Sequence, residues 1–350
     1  MKSWDAIIAG AGIIGVSLAL ELQTRGAQAL VLESGKPGHQ ASSAAAGMLA
    51  PSDPETPLAL RPLAAESARM FPEYVRKLEA ASQTQVDFRR LGTIAFLKEA
   101  SAPQDYKNLS IDDLQRLEPS LLNPGHSAFF VQEDSVDPHL LMLAALAAAC
   151  KAGIDIRSHH KVTSMRPCAS GVEVVTEKGS FITRAAVDCR GAWSGTPVKP
   201  RKGQMLYVQP KTSILRHVLR APEVYVVPRS TSKILVGATV EDVGYDKSVH
   251  SSAIQTLLNA AAGYLPELAS APITQSWAGL RPGTPDDLPI LGLTETPGLF
   301  VASGHFRNGI LLAPITAQIM ADLLQNRPAP LDISAFSPAR FSRQPASNRH

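Results

Sequence analysis

The sequence predicts an α/β fold: a Rossmann-like, dinucleotide-binding domain laid down in separate pieces of chain, with an inserted α+β domain built on antiparallel strands. Three observations predict it. The chain opens on an apolar run, Trp4-Asp5-Ala6-Ile7-Ile8-Ala9, followed at once by Gly10-Ala11-Gly12-Ile13-Ile14-Gly15 and a helical segment with Ile14, Leu18 and Leu22 four apart. A second apolar run, Ala29 to Leu32, ends at Glu33, eighteen positions beyond Gly15. Much later, Ala185 to Cys189 leads into Gly191, another strand-to-glycine step that returns the chain to the same sheet.

Each part of the opening unit has its own physical job. Gly10 permits the tight strand-to-helix turn, Gly12 lets backbone approach a pyrophosphate, and Gly15 lets helix and strand pack closely. The helix N-terminal amides, from Ile13 and Ile14 on, face the phosphates. The Glu33 carboxylate accepts hydrogen bonds from ribose hydroxyls, and Ser34 adjoins it. A lone G-x-G-x-x-G is a weak signal, but here strand, glycines, helix and acid fall in register. An acid at Glu33 repels a 2′-phosphate, which favours FAD or NAD over NADP.

The bulk properties narrow the class. At 350 residues and 45% hydrophobic content, one large or two intertwined domains are expected. A net charge of +3, from 34 basic and 31 acidic side chains, gives no electrostatic case for a nucleic acid or an anionic membrane surface. The nine histidines are scattered and neither H-E-x-x-H nor C-x-x-C occurs, so no metal site is expected. Cys150, Cys168 and Cys189 are an odd number at wide spacing, which fits a reducing compartment. No apolar run reaches the roughly 18 residues of a membrane span, and the N-terminus does not read as a signal peptide. A soluble, cytoplasmic protein is the expectation.

After Glu33, the stretch Ala41-Ser42-Ser43-Ala44-Ala45-Ala46-Gly47-Met48-Leu49-Ala50-Pro51 consists almost entirely of small side chains. Small residues let backbone approach something flat or bulky, and the serines offer hydroxyls to phosphate; a short buried Ala-rich helix is the structural alternative. Residues 58–82 read as an amphipathic helix interrupted at Pro62 and Pro72, and 86–130 as short strands between polar loops. Asp137-Pro138 supplies an N-cap and first-turn proline for a helix ending near Gly153. A hairpin at 172–183, strands between 204 and 236, a helix at 251–264 and a strand at 273–280 follow. Pro314 places the start of the last helix near Leu311 to Ala313, since proline is tolerated only in a first turn. The first domain takes residues 1–85, 135–200 and 278–327, the second 86–134 and 201–277, and 328–350 form a flexible tail.

Two late stretches carry chemistry. Trp277-Ala278-Gly279-Leu280-Arg281-Pro282-Gly283-Thr284-Pro285-Asp286 sets an arginine at a strand end between Gly and Pro, suited to clamping a carboxylate bidentately. Pairing with Asp286 or Asp287 is the purely structural alternative. Ser303-Gly304-His305-Phe306-Arg307-Asn308-Gly309-Ile310-Leu311 joins a strand end to a helix N-terminus, so backbone amides converge where negative charge is stabilised.

The opening fingerprint, Ala41–Pro51, Gly-Leu-Arg-Pro-Gly-Thr-Pro-Asp (279–286) and Gly-His-Phe-Arg-Asn-Gly-Ile-Leu-Leu-Ala-Pro (304–314) together resemble the FAD-dependent glycine oxidases of the D-amino-acid oxidase family. The resemblance runs from about residue 4 to 325. It implies noncovalent FAD, because the cysteine that carries covalent flavin in monomeric sarcosine oxidases lies in the C-terminal part, and here no cysteine follows position 189. Glu33 would hold the adenosine ribose, Ser42, Ser43, Gly47, Met48 and Leu49 the pyrophosphate and flavin, and Val162 the adenine side. The loop His305, Phe306, Arg307, Asn308, Gly309, Ile310 and Leu311 would embrace the isoalloxazine, and Gly191 would be a further cofactor contact. Arg281 would bind the substrate carboxylate with the Tyr225 hydroxyl, and Arg307 would sit beside substrate and flavin. The implied reaction is oxidation of glycine and other small amino acids by O2 to ammonia, hydrogen peroxide and the α-keto acid. Hydride would pass from Cα to the flavin without a side-chain base, in the service of thiamine thiazole synthesis. Members are often tetrameric. A sarcosine oxidase or D-amino-acid oxidase or dehydrogenase of the same superfamily is the alternative. Two positions depart from the family pattern: Asp188-Cys189-Arg190 where small apolar residues are usual, and Glu223, an acid two positions before Tyr225.

Overall fold

In the computed structural model, residues 4–97, 102–123, 125–195 and 197–341 are described. The opening run forms the strand Ala6–Ala9 near the middle of a six-stranded sheet. Its order is Ile290–Leu293, Leu299–Ser303, Ala185–Asp188, Ala6–Ala9, Ala29–Leu32 and Asp155–Arg157. All pairs are parallel except the first, which is antiparallel. Alternation along the strands explains why runs with almost no polar residue suit this place, because both faces are covered. Ala6, Ile8, Val31 and Val187 face the helical layer, whereas Ile7, Ala9, Leu30, Leu32 and Ala186 face the other way.

The helical layer is formed by Ile13–Thr24, Arg61–Ser82, Pro138–Lys151 and Ala313–Leu324. Gly15 sits where a Cβ would collide with the carbonyl oxygen of Gly10, which is the close approach expected of that position. The opposite face is covered by a three-stranded antiparallel sheet, Val162–Cys168, Gly171–Thr176 and Gly179–Thr183, through Val162, Val172 and Val174. Asp137 caps its helix as expected, its carboxylate accepting from His139 N at 2.8 Å, with Pro138 in the first turn.

Interruptions at Pro62 and Pro72 do not occur: Arg61–Ser82 is one helix. Pro62 lies in the first turn, where no intrahelical amide bond is lost. Pro72 removes one such bond, but buried Phe71, Val75 and Leu78 on a single face keep the helix against the core.

The second sheet has eight strands, in the order Ile273–Gly283, Lys199–Val208, Ile234–Gly237, Tyr225–Pro228, Val218–Arg220, Thr93–Leu97, Ser127–Val131 and Lys107–Asn108. It is antiparallel throughout except where Val218–Arg220 meets Thr93–Leu97. One face (Leu206, Val208, Leu219, Val226, Val236) packs on the helix Ser251–Tyr264. The other face, with Met205, Tyr207, Tyr225, Val227 and Leu235, looks towards Ala46 and Met48 of the first sheet's side. The domain borders expected at 200/201 and 277/278 fall inside two strands that pair with each other, Arg201 opposite Arg281.

The expected loose tail is also corrected as far as residue 341. Phe336 is 1% exposed in the main core, because Leu331, Ile333 and Phe336 supply the few apolar groups needed to dock the segment. Arg340 pairs with Asp286 at 2.8 Å and donates to the Leu288 carbonyl. Residues 342–350 lie outside the described residues. Phe336→Ala should destabilise the fold by about 3–5 kcal/mol in urea unfolding, the usual effect of deleting a buried aromatic ring. A loosely held tail would leave the midpoint unmoved.

Candidate active site

A cavity of about 760 Å³ runs from the opening glycine turn to the inner face of the second sheet. That lies in the upper part of the roughly 300–1,000 Å³ range of small-molecule and cofactor sites. Its first end is a cradle made of backbone. Gly10 has φ +107°, a conformation that favours glycine, and Gly12 precedes the first turn of Ile13–Thr24. The Ser42 hydroxyl sits over that turn and accepts from Ile13 N at 2.9 Å. Glu33 stands at the end of the second strand, one oxygen accepting from Ala11 N at 2.9 Å and the other from Gly35 N at 2.9 Å and the Ser34 hydroxyl. The neighbouring wall is Ala41, Ala44, Ala45, Ala46 and Gly47, small side chains that leave room for a broad ligand. Bare backbone at a helix N-terminus, an acid beyond the next strand and a wall without bulk fit an adenine dinucleotide such as FAD.

At the other end, Arg281 and Tyr225 come together across the second sheet. The Arg281 guanidinium lies flat over the backbone of Gly203, where any side chain would overlap it, and donates to the Thr239 carbonyl at 3.1 Å. The Tyr225 ring lies over Gly237 in the same way, 2.7 Å from where a Cβ would stand. Burial pushes the Tyr225 phenol above its ordinary pKa, against the pull of Arg281 and, further off, Arg229 and Arg307. The phenol is therefore a proton-carrying donor at neutral pH. Arg281 does not pair with Asp286, which is held instead by Arg340.

The loop after Leu299–Ser303 closes the cavity between these ends. Ser303 donates to the Gly191 carbonyl at 3.1 Å, and Phe306 N donates to the Pro282 carbonyl at 2.8 Å, next to Arg281. Phe306 has φ +45°, a left-handed conformation that is costly for an aromatic residue. Arg307 reaches across to pair with Glu55. His305 is buried and within 3.1 Å of the Thr316 hydroxyl, and burial depresses its pKa from 6.5 to about 3. The helix starts at Ala313 with Pro314 in its first turn, as the proline predicts.

Of the residues expected at the site, Gly10, Gly12, Ile13, Ile14, Glu33, Ser34, Ser42, Gly47, Met48, Val162, Gly191, Tyr225, Arg281 and His305 through Ile310 line this cavity. Four expected cofactor residues do not. Gly15 serves helix packing, Ser43 donates to the Gly38 carbonyl at 2.5 Å, and Leu49 and Leu311 are each 1% exposed in the main core. In alternating or helical backbone their neighbours face the cavity and they face away. The unusual Asp188-Cys189-Arg190 is locally satisfied: Asp188 pairs with Arg190 at 2.7 Å, and Arg190 also donates to the Val162 and Ser194 carbonyls.

Sequence reasoning missed Asp53, Glu55, Lys161, Trp193, Arg220 and Val240, all of which line the cavity. Arg220 becomes visible only through strand pairing, which sets it opposite Tyr225. For Asp53 and Glu55 the one available signal was position, directly after the small-residue stretch. Among the described residues no cluster of His, Cys, Asp or Glu is arranged to hold a metal, and no helix is long and apolar enough to cross a membrane.

A dinucleotide cradle whose cavity runs on to a half-buried arginine fixed on bare backbone is the arrangement of a cofactor-dependent oxidoreductase. The comparisons make this specific: the chain belongs to the DAO family of FAD dependent oxidoreductases, whose profile matches residues 5–323. It is 33% identical over 365 residues to the glycine oxidase of Geobacillus kaustophilus (strain HTA426), across 96% of this chain and 97% of that protein. The crystal structure of glycine oxidase from Geobacillus kaustophilus superposes with a TM-score of 0.93 at 31% identity, covering 97% of this chain and 99% of that one. The bifunctional protein ThiO/ThiG of Trichormus variabilis (strain ATCC 29413 / PCC 7937) is 35% identical over 97% of this chain. This chain spans 55% of that longer relative's length. The mixed parallel sheet with a largely antiparallel partner is the glycine-oxidase fold, and the chain is an FAD-dependent oxidoreductase of that group.

Gly203→Ala should push the Arg281 guanidinium off its platform and raise the KM for amino acid substrates about tenfold or more, with FAD binding followed in parallel by its visible spectrum. Acid stability should depend on His305: the unfolded imidazole takes its proton near pH 6.5, the folded one only near pH 3, so stability falls as pH drops through that window. The loss between pH 6.5 and 4 should be about 3 kcal/mol. His305→Gln should remove most of this dependence in urea titrations run at several pH values.

Proposed function

We propose that this chain oxidises glycine and other small amino acids with noncovalent FAD and O2. The products are the imino acid, which water converts to the α-keto acid and ammonia, and hydrogen peroxide. The observation that carries the reading is the Arg281–Tyr225 pair sharing one cavity with the glycine cradle.

Arg281, flat and fixed by Gly203 and Thr239, binds the substrate carboxylate bidentately. Tyr225 adds a donated hydrogen bond, since its phenol keeps its proton. Two fixed points leave Cα one orientation, which is catalysis by positioning. Neutral His305 holds the 305–311 loop to Thr316, so that the loop's backbone, not a mobile cation, borders the reacting region. FAD, when bound in the cradle, would supply the acceptor for the Cα hydride and the means of reducing O2. No side-chain base is assigned: His305 is buried, and Tyr225 is the wrong charge state for one.

Noncovalent attachment is supported by the cysteines. Cys189 is the one cysteine lining the cavity among the described residues, and burial, then the Asp188 charge, raises its thiol well above the ordinary range. Such a thiol is a poor nucleophile. The similarity to ThiO/ThiG proteins supports a role for the product imine in the thiazole branch of thiamine synthesis.

Arg281→Ala should cost about 2–4 kcal/mol of transition-state binding, seen as a fall in kcat/KM for glycine of roughly 30- to 1,000-fold in a peroxide assay. The variant should stay yellow. Unchanged kinetics would remove Arg281 from the site. Acid precipitation of the wild-type protein should leave all yellow colour in the supernatant.

A further inference from the structure

A second cavity, of about 260 Å³, lies outside the active site and shares no lining residue with it. It opens between the turn joining Tyr225–Pro228 to Ile234–Gly237, the loop leading into Val218–Arg220, and the end of Phe88–Arg89. The turn is fixed by three bonds. Arg229 N donates to the Lys233 carbonyl at 2.9 Å, Ser232 N to the Arg229 carbonyl at 3.2 Å, and Ser230 N to the Asp87 carboxylate at 2.7 Å. Four cations, Arg89, Arg216, Arg229 and Lys233, line the cavity, and no carboxylate does. Two of them are matched by acids outside the lining. Asp87 holds Arg89 at 3.0 Å, and Asp137 stands 3.9 Å from buried Arg229, whose guanidinium also donates to the Val136 and Ala46 carbonyls. Arg216 and Lys233 have no carboxylate partner among the described residues. Glu118, which accepts from the Arg216 amide, is taken up by the amide and ring of His217, and Lys233 Nζ lies 5.9 Å from the centre of the Tyr207 ring. Four cations against two acids leave a surplus of two positive charges around one hollow.

We propose that this cavity is a binding site for a phosphate dianion, free or carried by a small ester. Like charges gathered in a hollow repel one another until an anion joins them, and low-dielectric walls focus their field. Leu91, Ile214, Leu215 and Ile234 supply such walls. Guanidinium planes match phosphate oxygens bidentately, and Lys233 adds a point charge. Ser213 and Ser232, also in the lining, offer side-chain hydroxyls that make no hydrogen bond among the described residues. A surplus of two positive charges suits a dianion better than a single carboxylate. Size sets the upper limit. At about 30 Å³ for each water's worth of space, a phosphate and a few carbons fit. The volume of about 260 Å³ falls below the roughly 300–1,000 Å³ of pockets for drug-sized molecules and whole cofactors.

The test is isothermal titration of the full chain saturated with FAD, so that the glycine cradle is filled and cannot take the probe. Inorganic phosphate and glycerol 3-phosphate are titrated at constant ionic strength, with malonate as a dianion that lacks phosphate. One saturable site is expected, with Kd of about 1 mM or below. Tighter binding of the ester would mean that the apolar walls contact its carbons, and tighter binding of inorganic phosphate that the free ion is the ligand; either result upholds the site. Arg216→Gln and Lys233→Gln should each weaken binding about tenfold, the usual effect of losing one charged hydrogen-bond partner, and the double variant should abolish it. Lys211→Gln, at an exposed lysine of the same loop outside the lining, should leave binding unchanged. The visible spectrum of bound FAD reports that each variant is folded. No saturable binding of either phosphate, binding untouched in the double variant, or malonate bound as tightly as phosphate would overturn the proposal.

Discussion

The guanidinium of Arg281 resting on the bare backbone of Gly203 is the contact on which the site depends. It exists because Lys199–Val208 and Ile273–Gly283 pair antiparallel over most of their length, setting Gly203 opposite Gly279 and Arg201 opposite Arg281. A guanidinium in solution samples many rotamers, and binding a carboxylate would have to freeze them. Here the sheet surface and the Thr239 carbonyl have already done so. The loss of side-chain freedom is met by folding, and under the proposed function a substrate carboxylate would meet a planar fork already aimed.

The same strand pair also ties the substrate end to the cofactor end. The Pro282 carbonyl accepts from the Phe306 amide, so the loop entering the last helix is positioned by the residue next to Arg281. Ser303 reaches back to Gly191 at the end of a strand of the first sheet. Three segments far apart in the chain therefore meet within a few bonds of one another. The left-handed backbone of Phe306 is local strain that these contacts hold in place.

Burial sorts the titratable groups by task. His305 and Tyr225 are kept in their neutral forms by loss of solvent, one as a structural tie to Thr316 and the other as a hydrogen-bond donor beside Arg281. Charge is left to the arginines, and at the outer rim each of those has a carboxylate partner. The inner Arg281 guanidinium and a rim of matched charges give the cavity a polarity along its length. Catalysis by positioning needs such fixed asymmetry, because a substrate bound in two orientations presents Cα correctly in only one.

What the sequence by itself determined is whatever lies within a short stretch of chain. The cradle of Gly10, Gly12 and Ile13, the acid at Glu33, the Asp137-Pro138 helix start and the helix begun by Pro314 were legible because turn, cap and strand-length rules act over a few residues. The Arg281 and 303–311 stretches stood out through the family resemblance rather than through local rules. Tertiary structure alone decided which faces of 41–51 and 305–311 meet the cavity, so that Ser42 lines it and Ser43 does not. It decided too that Glu55 meets Arg307 from 252 positions away, and that strand pairing puts Arg220 beside Tyr225. It kept the helix around Pro72 whole and docked Phe336, where composition had pointed to a break and a loose tail. The physical reason is one and the same: local propensities are worth tenths of a kcal/mol to a few, whereas burying an apolar face or pairing a charge across sheets is settled by neighbours the chain supplies only once it has folded.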